Sequence, residues 1–458
     1  MSAVPGYPEF QGASQAWHGP AGLRPIADGD DARPLAFDAQ GAVPLSRFLA
    51  QVRGVAAALP EARHAINLCE DRYRFLVALC AAAVRGQVTL LPPSRAAEVV
   101  AQIRRAYPDS LCICDADGVA DTWRMPASLP ERAGPVPCVD DAALAVVGFT
   151  SGSTGTPLAN RKTWGSFRAS TAQNLVALRD LWPEHAAAHV VATVPPQHMY
   201  GMELSVLLPL FAPVAVHAGR PFFPLDVAAA LAHAPGHRLL VTTPVHLRAL
   251  LESGIALPPL AGIVSATAPL PTELAAASEA RFGCEVRELF GSTETCVVAR
   301  RRTARDSAWT PLPGVRIVPR PDGARVHARH LPEPVDLADL VEVQADGRFA
   351  LRGRNADLLE IAGKRASLGD LTRRLQALPG VQDAVVFQLD ADAGGVRRIA
   401  ALAVAPGLDE ASLLAALRER IDPVFLPRPL RCVAALPRNE TGKLPRQALL
   451  ALLRGNMR

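Results

Sequence analysis

The chain has 458 residues, more than one ordinary core accommodates, so two or three domains are expected. At 49% apolar, 20% charged and 5% aromatic residues it has a globular composition, which excludes a disordered chain or a coiled coil. A net charge of +4, with no basic block interleaved with aromatics, argues against a nucleic-acid partner.

Residues 1–10 carry no basic side chain and no apolar run, so no secretory signal is expected and the protein reads as cytoplasmic. Leu45, Phe48, Leu49, Val52, Val55, Ala56 and Leu59 have helical spacing and stop at Pro60. A strand is expected over 65–68, a helix over 74–83, and a strand over 88–91 halted by Pro92 and Pro93. The apolar run 75–84 falls short of the roughly 18 residues of a bilayer crossing, so no membrane span is expected. Strand-like runs continue at 110–114, 143–149, 189–194, 214–217, 239–242 and 262–265, with helical stretches between most of them. That alternation predicts an α/β fold, its parallel sheet covered on both faces by helices.

The pattern changes after residue 354. Leu368, Leu371, Leu375 and Leu378 share one face of a helix that Pro379 and Gly380 end. Strands are expected over 384–389, 398–404 and 430–436, with helices near 409–421 and 447–453. The organisation read from the sequence is therefore a large domain over 1–353 and a small α+β domain over 354–458. The eight cysteines are scattered without a C-x-x-C pair and read as buried, reduced thiols; no metal cage is visible.

Of 48 basic residues only Lys162, Lys364 and Lys443 are lysine. Where arginine supplies generic positive charge, a retained lysine marks a need for a compact ammonium on a flexible stem. All three fall in or beside glycine-containing motifs. Thr150-Ser151-Gly152-Ser153-Thr154-Gly155-Thr156-Pro157 directly follows an apolar strand and packs five hydroxyls and two glycines into eight residues. Its hydroxyls and backbone N–H groups can surround phosphate oxygens, although it lacks the Gly-Lys-Ser/Thr ending of a Walker loop. Glu288-Leu289-Phe290-Gly291-Ser292-Thr293-Glu294 offers a ring to stack on a base, then a hydroxyl donor and a carboxylate for Mg²⁺. Pro437-Arg438-Asn439-Glu440-Thr441-Gly442-Lys443 places the last lysine on a glycine-turned loop.

In this order the segments resemble the adenylate-forming superfamily of acyl-CoA synthetases, carrier-loading adenylation domains and luciferases, over roughly residues 65–446. The resemblance implies ATP and Mg²⁺ as cofactors, with Thr150 to Thr156 as the phosphate loop. It implies an adenine site at Ala266, Thr267, Ala268, Phe290 and Gly291, Phe290 standing where tyrosine is usual. Thr293 and Glu294 take the α-phosphate and metal positions, Asp339 the ribose position with Arg354 as its partner, and Lys443 the catalytic lysine. Pro195-Pro196-Gln197-His198-Met199-Tyr200-Gly201 matches the segment whose histidine or aromatic residue gates the acyl pocket. In the family the small domain rotates between half-reactions, which would withdraw Lys443 and bring the 363–365 loop towards the incoming thiol. A lysine within about 4 Å of the approaching carboxylate and phosphate contributes roughly 4 kcal/mol at an effective dielectric of ~20, or about three powers of ten in rate.

The chain departs from that pattern at Pro157-Leu158-Ala159, where Pro-Lys-Gly is usual, and Lys162 is the candidate replacement charge. Ala356 stands at the hinge position, with Asp357 one step on, and Pro311-Leu312-Pro313-Gly314 is a reduced form of a longer segment. The short large domain, Cys69-Glu70-Asp71-Arg72-Tyr73-Arg74-Phe75 and Lys162-Thr163-Trp164-Gly165 resemble compact bacterial ligases of aryl polyene and xanthomonadin-type pigment synthesis. This implies activation of an aryl acid such as a hydroxybenzoate and its loading onto an acyl carrier protein. Two alternatives stand beside it: a coenzyme A ligase for a short or medium-chain acid, and a non-catalytic fold that binds nucleotide or carrier protein.

Overall fold

The computed structural model describes residues 22–116, 122–151, 157–354, 358–361, 364–389, 398–439 and 442–455. Among them, two large sheets carry the first three quarters of the chain. One is nine-stranded, in spatial order Thr310–Pro311, Cys296–Arg301, Val286–Ser292, Gly262–Ser265, His237–Thr242, Ala188–Ala192, Val214–His217, Pro34–Asp38 and Gly41–Pro44. Its centre is parallel, and both edges are antiparallel. The other is six-stranded, in the order Pro157–Thr163, Leu144–Ser151, Val88–Leu91, His64–Asn67, Ser110–Cys114 and Trp123–Arg124. It too is parallel, except for the hairpin of its first two strands.

Strand pleat explains the layering, because successive side chains leave opposite faces. Val190 joins the central core and Val191 the outer one, as Ala65 and Ile66 do in the second sheet. The central core lies between the sheets with the helices Leu45–Ala58 and Arg72–Val84. Outer cores lie under the helices Pro224–Ala232, Pro244–Glu252 and Thr272–Phe282 on one side and Ala97–Ala106 on the other. Cys112 and Cys114 share a face as their spacing requires, and all eight cysteines are free. No helix among the described residues is long and apolar enough to cross a membrane.

The last quarter forms its own apolar core. Strands Asp383–Gln388, Ile399–Val404 and Leu430–Cys432 are covered on one face by Leu368–Gln376 and Glu410–Arg418. The other face packs against Arg446–Gly455 through Leu449 and Leu453. The strand expected to reach residue 436 ends at Cys432, four residues early. Two features had no counterpart in the sequence reading: a hairpin of Leu358–Ile361 with Lys364–Ser367, and the short ladders between 316 and 354. The strand Phe349–Arg354 runs up to residue 354, and residues 355–357 lie outside the described residues.

Candidate active site

In open α/β sheets the carboxyl ends of the strands are where ligands bind. Here the ends of Leu144–Ser151, Ala188–Ala192, Gly262–Ser265 and Val286–Ser292 lead into the four segments singled out from the sequence. Ser151 and Pro157 are paired across the hairpin, so the proposed phosphate loop is its connection. Gly152, Ser153, Thr154, Gly155 and Thr156 lie outside the described residues. Thr150 is partly buried, and its hydroxyl oxygen lies 3.5 Å from the Asn160 amide nitrogen that donates to it.

The segment after Gly262–Ser265 is unusual in its backbone. Thr267 has a φ of +81°, a left-handed conformation that a β-branched residue rarely adopts and that concentrates at functional sites. Ala266 is buried and Ala268 partly exposed, so small side chains surround this strained turn. Buried Glu288 holds the segment from behind. It accepts from the Leu270 N–H at 2.9 Å, from Arg301 at 2.7 Å and from Thr303 at 2.6 Å. That assigns Glu288 to scaffolding and leaves the polar end of its motif, Ser292 to Glu294, for chemistry.

Phe290 is half-buried, with ring centroids 5.5 Å from Trp309 and 6.0 Å from Phe349, so its ring is braced by an aromatic cluster. Gly291 is obligatory: a Cβ there would lie 2.2 Å from the Cys296 carbonyl oxygen across the tight turn. Thr293, Met199 and Gly148 come together, since a Cβ on Gly148 would meet the Thr293 methyl at 3.2 Å and Met199 Cε at 3.5 Å. The phosphate-loop strand, the His198 segment and the Thr293-Glu294 turn therefore share one space.

His198 immediately precedes the short helix Met199–Met202. The Tyr200 hydroxyl donates to the Val264 carbonyl at 2.9 Å, which ties this helix to the strand before Ala266. Gly201 allows the turn, because a Cβ would sit 2.1 Å from the Pro195 carbonyl oxygen. Burial, then the nearby Lys443 ammonium, pushes the His198 pKa down to about 4, so the ring is neutral at physiological pH. Its Nδ1 is buried with no protein partner among the described residues.

Lys443 reaches this place from the small domain. A Cβ on Gly442 would lie 3.3 Å from Val245 Cγ2 and 4.0 Å from Ala268 Cβ, so the loop rests on the adenine segment. Gly442 itself has a φ of +79°, and Asn439 closes the turn by accepting the Lys443 N–H at 2.8 Å. Asp339 stands directly opposite Arg354 in the antiparallel ladder, so the two residues expected to act together are cross-strand partners. Gly363 and Ala356 lie outside the described residues, while Lys364 opens the strand Lys364–Ser367.

Lys162 is not a surface replacement for the lysine missing at position 158. Leu158 is exposed, whereas Lys162 is buried, about 13 Å further along the strand. Its Nζ donates to the Glu294 carbonyl at 2.5 Å. Sequence reasoning also missed Arg72, which is fully buried. It donates to the carbonyls of Ala192, Val194 and Gly219 at 2.9, 2.7 and 2.6 Å and to the Ser205 hydroxyl at 3.0 Å. Those bonds tie down the strand end that leads to His198; the available signal was an arginine at the first position of a largely apolar helix.

The arrangement is that of an α/β protein in which the Gly442–Lys443 loop of the last quarter rests on the segment after Gly262–Ser265. The chain belongs to the AMP-binding enzymes: that family matches residues 51–327, and its C-terminal domain matches residues 373–443. It uses ATP and is an AMP-forming acid–thiol ligase. It is 32% identical over 298 residues to 4-coumarate–CoA ligase of Rhodobacter capsulatus, covering 64% of this chain and 73% of that one. It is 28% identical over 404 residues to sulfoacetate–CoA ligase of Cupriavidus necator, covering 78% and 76%. ATP-bound MatB from Rhodopseudomonas palustris shares the fold with a TM-score of 0.79 at 20% identity, over 94% of this chain and 98% of that one.

Proposed function

We propose that the protein converts an aryl acid, such as a hydroxybenzoate, to its acyl-adenylate and passes the acyl group to the phosphopantetheine thiol of an acyl carrier protein. The observation that carries the adenylation step is the seating of the Gly442–Lys443 loop on Ala268 with Lys443 beside His198. A carboxylate approaching a triphosphate meets anionic repulsion, and an ammonium placed where the two converge offsets it. The neutral His198 ring adds no charge of its own to the acyl pocket. Asp339 opposite Arg354 is suited to the ribose, and the braced Phe290 to the base.

Mg²⁺ belongs to this reading. The Glu294 carboxylate is partly buried and makes no hydrogen bond or ion pair among the described residues, as an oxygen donor kept for a hard cation would. When bound, the ion would neutralise charge on the phosphate oxygens. The aryl preference is supported by the relative named 4-coumarate–CoA ligase. The carrier is supported by similarity to enterobactin synthase component F of Shigella flexneri, 26% identical over 383 residues, 70% of this chain and 29% of that one. The sulfoacetate–CoA ligase relative favours a second reading, coenzyme A ligation of a short acid.

Pyrophosphate release with Mg-ATP and a panel of acids, with carrier protein or coenzyme A as acceptor, tests these readings. Turnover with hydroxybenzoates that requires the carrier supports the first. Turnover with alkyl acids and coenzyme A alone replaces it with the second.

A further inference from the structure

The turn that carries Glu294 is gripped from three sides by buried polar side chains that no catalytic step uses. Lys162 Nζ donates to the Glu294 carbonyl at 2.5 Å. His330 Nε2 lies 2.7 Å from the Thr295 carbonyl oxygen, so that nitrogen carries the proton and donates. The Glu203 carboxylate accepts from the Val297 N–H at 3.0 and 3.2 Å, and also from Asn174 and Ser170. Lys162, Glu203 and His330 are 5%, 1% and 2% exposed, so water shares little of this work.

Two sides of the grip, and the turn itself, depart locally from regular backbone. The strand Pro157–Thr163 slips register between Lys162 and Thr163, and such bulges re-aim side chains beside active sites. The helix after His198 widens to π geometry over Glu203–Leu207, a form that gathers at functional sites. Cys296, between the gripped residues, has a φ of +58°. Irregularities on two elements that meet one strained turn are costly, and they persist only where the surrounding structure over-determines them.

We propose that Lys162, Glu203 and His330 are positioning residues that fix the 292–297 turn so that the Glu294 carboxylate is presented to the metal–nucleotide complex. Lys162 donates to a carbonyl near one end of the turn and Glu203 accepts an N–H near the other, so the turn is held at both ends. The lysine is required in place of arginine because a single compact donor must reach one carbonyl inside a packed core. The proposal rests on the assignment of Glu294 to the metal.

The test is calorimetric binding of a non-hydrolysable ATP analogue, with and without Mg²⁺, to the full chain. Glu294→Gln is expected to erase the tightening that Mg²⁺ gives; if it does not, the metal assignment fails. Lys162→Met is expected to reduce that tightening about 10- to 100-fold while metal-free binding stays unchanged. Full Mg²⁺ tightening in Lys162→Met, where Glu294→Gln has lost it, overturns the positioning role. Should Lys162→Met unfold by stranding the Glu203 charge, the double variant Lys162→Met/Glu203→Gln is neutral on both sides of the turn. It is expected to show the same loss of Mg²⁺ tightening, and wild-type tightening in it overturns the proposal equally.

Discussion

Lys443 of the small domain acts electrostatically on His198 of the large one and, together with burial, keeps its imidazole neutral down to about pH 4. The two residues are far apart in sequence and on separately packed units, so only the folded chain brings them together, as the proposed adenylation role of Lys443 requires. Lys443→Ala is expected to lower acid-dependent pyrophosphate exchange by about three powers of ten. Thiol transfer from a supplied acyl-adenylate should be nearly unchanged, because the role proposed for the lysine is confined to the first step. Equal loss in both half-reactions would assign Lys443 to general folding of the loop.

His198 also links stability to pH. In the unfolded chain its imidazole takes a proton below about 6.5, while in the folded protein it does so only below about 4. Between those values the unfolded state binds more protons, so stability is full above pH 6.5 and falls as the pH is lowered through the window. Buried His189 and His330 and half-buried His217 are shifted in the same direction and steepen the fall. Urea unfolding at pH 7 and pH 5 should show His198→Gln losing about 2 kcal/mol less than the wild type over that interval. An identical loss in both proteins would contradict the buried neutral ring.

The sheets and the small domain were legible because their strands are short apolar runs punctuated by proline, glycine and polar turns. Strands 88–91, 110–114, 214–217 and 262–265 fall where they were read. The ladders between 316 and 354 were not, since strands such as Arg316–Arg320 and Asp339–Val343 mix charged and apolar residues without clean alternation. At the site, glycines and hydroxyls announce themselves by local pattern, as do the Lys443 loop and the Thr293-Glu294 turn. Long-range partners do not. Glu203 sits in an apolar helix and His330 in an irregular stretch, and only folding puts them around one turn. Arg72 resembled any solvated arginine until three carbonyls from two separate strand ends proved to converge on it.

That convergence makes Arg72 a stability prediction. Its guanidinium is fully buried, and burial, followed by repulsion from Arg220, lowers its pKa to about 9. Arg72→Lys keeps a charge but cannot serve the carbonyls of Ala192, Val194 and Gly219 together. Unfolding free energy in urea should fall by about 2–4 kcal/mol, the range expected for stranding one or two buried acceptors. The KM for the acid should rise as well, because those carbonyls anchor the approach to His198. A loss below about 1 kcal/mol would mean that water replaces the fork.

The last prediction concerns Leu158, 62% exposed beside the phosphate loop where the family usually places lysine. It faces solvent, so Leu158→Lys strands no buried group and should leave the folding free energy within about 0.5 kcal/mol. An added ammonium at this position attracts the triphosphate, but through water. The KM for ATP should therefore drop by only about two- to fivefold, the scale of an exposed ion pair. The gain should fade in 0.5 M salt, where screening acts within a few ångströms. A gain that survives salt would mean that the new lysine docks directly on a phosphate. No gain at low salt would mean that the strand carries position 158 away from the nucleotide.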